Sequence, residues 1–151
     1  MTRRPPVSCA CSKLRRASRA ITQLYDDALA ACDLRVTQFA LMTTLDVRGS
    51  TTISALASAL LLDRTALSRN LEPLQQRGLV DVAPGTDART REARLTAAGR
   101  RALHDAAPRW EAVQRDVAKR IGAERLQTLY EVLADLERLH PATQRTDTVQ
   151  G

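Results

Sequence analysis

Apolar positions recur at helical spacing along most of the chain, broken once by a stretch that alternates every second residue. Leu14, Ala17, Ile21, Leu24 and Ala28 lie three and four apart and predict an amphipathic helix over residues 12–31. Asp33 interrupts it, and Val36-Thr37-Gln38-Phe39 opens a second helix that runs to about residue 46 and ends at Gly49. Thr52 is placed to cap a short third helix, 53–60. Asp63 caps a fourth, 64–77, with Gly78 just past its end. Leu79-Val80-Asp81-Val82 then alternates apolar and polar before the turn-rich Ala83-Pro84-Gly85-Thr86-Asp87, and residues 92–95 can pair back as the second strand of a hairpin. Thr96 caps a long fifth helix to about residue 120. Pro108 is expected to kink or divide that helix, because proline removes one ladder hydrogen bond. After Ile121-Gly122 a sixth helix carries Leu126, Leu129, Leu133 and Leu136 and stops at Pro141, leaving a polar tail, 142–151, expected to fray.

The 151 residues fit one mainly α domain. No apolar run approaches the ~18–20 residues of a membrane span. The segment MTRRPPVSCACSKLRR lacks the apolar centre of a secretory signal, and three cysteines, an odd number, suit a reducing cytoplasm better than a disulfide scaffold. The four aromatic residues (Tyr25, Phe39, Trp110, Tyr130) are too few for a platform that stacks single-stranded bases. Charge adds a partner. The net charge is +6, and residues 1–20 carry six cations (Arg3, Arg4, Lys13, Arg15, Arg16, Arg19) and no acid. A second basic concentration lies at Arg89, Arg91, Arg94, Arg100 and Arg101. Arginine's planar fork suits phosphates and base edges, so nucleic acid enters as a candidate beside a merely basic protein.

Two short helices followed by a small hairpin compose a winged helix-turn-helix over about 36–99. In such a unit the second helix enters the major groove, and the hairpin tip reaches a neighbouring groove. A module of that size cannot bury the terminal stripes as well. Helices at about 12–32 and 100–140 are therefore expected to form a dimer interface, which suits a two-fold DNA site.

The wing segment Asp87-Ala88-Arg89-Thr90-Arg91-Glu92-Ala93-Arg94-Leu95-Thr96-Ala97-Ala98-Gly99 resembles the D-x-R…L-T-x-x-G pattern of the MarR family of bacterial transcriptional regulators. Leu62-Asp63-Arg64-Thr65-Ala66-Leu67-Ser68-Arg69-Asn70-Leu71, followed by Leu74 and Arg77-Gly78-Leu79-Val80, is similar to the same family's recognition segment. The order of elements agrees over about residues 12–140. The resemblance implies a winged-helix dimer that binds double-stranded DNA at a pseudo-palindromic operator. It also implies a minor-groove role for Arg89. One position departs from the pattern: Leu61 stands where the family often has glycine. A left-handed backbone there costs leucine ~1–2 kcal/mol, so a different turn is expected.

Candidate DNA-binding residues are Arg64, Thr65, Ser68, Arg69 and Asn70 on the fourth helix, with Arg89 and Arg91 in the wing. A bidentate arginine can read guanine, short hydroxyls reach base edges or phosphates, and narrow grooves attract inserted arginine. Asp87 is expected to orient the wing by pairing with an arginine, and Arg94 to be structural. Cys9 and Cys11 precede the first helix in a cationic setting that suits a redox sensor, or a soft metal or metalloid held by thiolates, and Cys32 lies at that helix's far end. A helix of that length, ~28 Å, keeps Cys32 from the other two within one protomer, whereas an antiparallel dimer can bring the three together as a thiol sensor. Small buried or inert thiols are the plainer reading. No zinc spacing, phosphate loop, nucleophile elbow or carboxylate pair is present, so no metal, cofactor or catalysis is read. His104 and His140 read as surface residues. Trp110 is expected either in packing or beside an effector pocket. Together these features predict a homodimeric, cytoplasmic repressor with no membrane association, released by a small-molecule effector or by thiol modification. The alternative is an architectural DNA-binding protein of low sequence specificity.

Overall fold

The computed structural model describes residues 9–141, so the expected frayed tail and the first two arginines fall outside the described residues. α1 (Ala10–Leu29) ends in a 3₁₀ turn (Ala30–Cys32), and Asp33 follows in left-handed backbone at φ 53°. α2 (Val36–Arg48) starts where Asp26 of α1 reaches across: its carboxylate accepts the Val36 N–H at 2.7 Å, supplying a partner that the first turn of a helix lacks. Gly49, at φ 71°, ends α2.

Next come β1 (Thr51–Thr52), α3 (Ile53–Ala59) and α4 (Arg64–Gln76), the last two capped as expected. Thr52 Oγ1 accepts the Ala55 N–H at 3.2 Å, and Asp63 Oδ1 accepts the Ala66 N–H at 2.8 Å. β2 (Val80–Pro84) and β3 (Arg91–Leu95) pair antiparallel, with Val80 opposite Leu95 and Pro84 opposite Arg91. β1 adds to the other side of β3, Thr51 opposite Ala93, so the sheet has three strands in the order β1-β3-β2. α5 (Ala97–Ile121) and α6 (Ala123–Glu137) complete the chain.

One turn and one helix differ from the sequence expectation. Leu61 does adopt the left-handed region, at φ 50°. The reason is hydrogen bonding: Leu61 N–H donates to Ser58 at 3.1 Å and Leu62 N–H to Ala57 at 2.9 Å, satisfying the carbonyls that end α3. Pro108 does not divide α5, which runs unbroken through it. Pro108 and His104, whose carbonyl lost its donor, are both exposed, so water can take that carbonyl.

The main core gathers Leu41, Met42 and Leu45 of α2, Leu56 of α3, Leu67 and Leu74 of α4, and Ala93 and Leu95 of β3. A second cluster joins Tyr25 of α1, Val113 and Val117 of α5 and Leu126 of α6. Trp110 packs against both, stacked on Phe39 with ring centroids 5.7 Å apart. Among the described residues no helix is long and apolar enough to cross a membrane.

Candidate nucleic-acid interface

α4 offers one polar face. Arg64, Thr65, Ser68 and Arg69 fall within an arc of about 140° at 3.6 residues per turn, and all four are exposed. The opposite side, Leu67, Leu71 and Leu74, is buried and fixes the rotation of the helix. Asn70 lies roughly 100° beyond that arc. It is half-buried, and its amide donates to the Ala66 carbonyl at 2.9 Å. Asn70 is thus set apart from the other four. Arg64 has a partner the sequence did not suggest: its guanidinium donates to Ser54 Oγ of α3 at 3.2 Å. Ser54 lies ten positions earlier, and no local spacing links the two residues.

The wing tip is tied by backbone bonds. Gly85 N–H donates to Thr90 at 2.9 Å, and the Asp87 carbonyl accepts from Thr90 N–H and Thr90 Oγ1, each at 2.8 Å. The Asp87 carboxylate accepts the Arg89 backbone N–H at 3.0 Å. No ion pair joins it to an arginine among the described residues, which corrects the expected pairing. An aspartate two residues ahead of an N–H closes a turn locally, within reach of its short side chain. The result leaves the Arg89 and Arg91 side chains exposed at the tip and neck of the wing. Arg94 is instead held across the strands by Asp81, whose Oδ2 accepts from Nη2 at 2.8 Å and from Nε at 3.1 Å. At the neck, Ser50 Oγ donates to Glu92 at 2.7 Å and links the end of α2 to β3.

Cys9 and Cys11 are both exposed at the start of α1, whereas Cys32 is half-buried against the main core. His104 is exposed beside Asp105. Trp110 is taken up by packing. Among the described residues there is no group of three or more His, Cys, Asp or Glu side chains that could hold a metal ion.

Comparison with known proteins gives this arrangement its relatives. The MarR family model matches residues 34–90, which span α2 through the wing tip. The chain is 39% identical to the M. tuberculosis transcriptional regulator MosR, in a crystal structure in complex with DNA. That match covers 87% of this chain and 96% of MosR at a TM-score of 0.80. The fold is shared with the transcriptional repressor CouR bound to a 23-mer DNA duplex, at 23% identity, 86% and 93% coverage and a TM-score of 0.78. It is shared too with a mutant MarR from E. coli complexed with operator DNA, at 21% identity, 83% and 91% coverage and a TM-score of 0.76. The curated proteins give no match. By its winged helix and by its likeness to MosR over nearly its whole length, the chain belongs to the MarR family of transcriptional regulators.

Proposed function

We propose that the protein is a homodimeric, cytoplasmic repressor that binds a pseudo-palindromic operator in double-stranded DNA. One observation carries the reading: Arg64, Thr65, Ser68 and Arg69 share an exposed face of α4, with the exposed wing arginines Arg89 and Arg91 following it. Two copies of α4 read major grooves, and two wings carry Arg89 into the flanking minor grooves. The whole chain acts as one unit, with a DNA-reading part at about 36–99 and arms at about 12–32 and 100–140. A small-molecule effector, or modification of Cys9 and Cys11, releases the operator by changing the separation of the two reading helices.

The test divides the work between wing and helix. A duplex selected by the protein from a random pool is titrated at several salt concentrations. Arg89→Ala should weaken binding on all sequences and lower the salt slope by roughly one per protomer. Arg69→Ala should cost ~1–3 kcal/mol on the selected duplex and relax preference at one position per half-site. If neither variant alters binding, the reading is wrong. Equal affinity for selected and random duplexes would point to an architectural protein instead.

A further inference from the structure

The C-terminal end of α4 is fastened to the start of α5 and to the turn after α1, the elements that lead into the two arms, by different chemistry on each side. Towards α5, one hydroxyl acts in two directions. Thr96 Oγ1 accepts the Gly99 N–H at 3.0 Å, capping α5, and donates to the Gly78 carbonyl at 2.7 Å, with the Leu79 oxygen at 3.2 Å. The Thr96 N–H also donates to Leu79 at 3.1 Å. Gly99 is buried, and a Cβ there would stand 2.0 Å from the Leu79 oxygen, so only glycine permits this approach. Towards α1, Arg77 donates to the backbone carbonyl of Asp33 and pairs with its carboxylate at 3.7 Å. The same side chains, with Asp26, Arg35, Gln38 and Pro73, border a cleft of about 610 Å³ between α1, α2 and the end of α4. The carbonyls in the last turn of α4 are taken by the Arg77, Gly78 and Leu79 N–H groups, so the carbonyls of Gly78 and Leu79, just past the helix, are the ones that serve as attachment points.

We propose that Thr96 and Arg77 are positioning residues for DNA recognition, which fix the angle of α4 to the arms and so set the half-site spacing that the protein accepts. The inference rests on the reading of a dimer on a two-fold site. Its scale is set by leverage. Tilting a 13-residue helix by about 10° about one end moves the other end by about 3 Å. One inserted base pair moves a half-site by about 3.4 Å and turns it by about 34°. A small slackening of either fastening thus displaces the far end of α4 by about the rise of one base pair.

The experiment uses the full chain and a duplex it selects from a random pool. Companion duplexes have the centre lengthened or shortened by one or two base pairs, or carry one half-site alone, and all are titrated by fluorescence anisotropy. The native chain should lose about tenfold or more in affinity when the spacing changes. In Thr96→Val and Arg77→Ala the spread across spacings should shrink to about threefold, while single half-site binding stays within about twofold of native. Thr96→Ser, which keeps the hydroxyl, should restore the native spread. Thr96→Asp still accepts the Gly99 N–H but has no proton for Gly78, so it should follow Thr96→Val. The inference is overturned if the variants keep the native discrimination, or lose half-site binding in step with the full site. Should Thr96→Val fail to fold, Arg77→Ala, whose side chain is one-third exposed, decides the question. A native chain indifferent to spacing would overturn the two-fold reading itself, a result distinct from discrimination that the variants leave intact.

Discussion

Leu61 is the residue at which local preference and hydrogen bonding oppose each other, and hydrogen bonding wins. Its left-handed backbone carries a strain of ~1–2 kcal/mol that glycine would not bear. Glycine is also freer when unfolded, which takes back ~0.5–1 kcal/mol. Leu61→Gly should therefore stabilise the protein by up to about 1 kcal/mol, raising Tm by about 2–4 °C in a scan. A second residue gives a pH signature. Burial of Tyr25, and then the neighbouring Tyr130, push its phenol above the ordinary value of 10.0. The folded form thus holds a proton that the unfolded chain releases. This contribution is fully present below pH 10.0 and is lost as pH rises through the folded value. Denaturant midpoints measured upward from about pH 9 should fall, and Tyr25→Phe should lessen the fall.

Among elements, the tightest junction is the α5 start against the α4 end. Gly99→Ala should cost at least ~2 kcal/mol, read from denaturant unfolding, because the Leu79 backbone has to move to admit a methyl group. Much at this scale was legible in the sequence. The caps Thr52, Asp63 and Thr96 act where expected, because a cap and its N–H target lie three residues apart. β1 was not legible, since two residues show no alternation and its partner strand lies some forty positions away. Asn70 shows a limit of another kind. Adjacency in sequence grouped it with Arg69, but each helical step turns about 100°, and the rotation set by Leu67, Leu71 and Leu74 carries Asn70 away from the exposed face. Asp87 illustrates the same point in the wing, where a backbone N–H two residues on captured the carboxylate.

At the scale of the whole molecule, α1 and α6 leave Ile21, Leu24, Leu129, Tyr130 and Val132 exposed beside the second cluster. Cutting the chain before Glu124 removes Leu126 from that cluster and uncovers Tyr25 and Val113. The truncated chain should aggregate or fail to dimerise in sedimentation; a well-behaved monomer of native stability would sink the interface assignment. A milder probe is Leu129→Glu, which should shift the dimer towards monomer at equal far-ultraviolet circular dichroism. For the thiols, oxidant or arsenite should weaken operator binding by the native chain, and the Cys9→Ser/Cys11→Ser double variant should no longer respond. An equal response in the double variant would make both thiols bystanders. Trp110 supplies an optical handle on all of these. It is the sole indole in the sequence, and it sits on Phe39 at the seam between the main core and the second cluster. Excited selectively, the unlabelled protein emits from that one seam, so any sliding of arm against core is written directly into its emission spectrum.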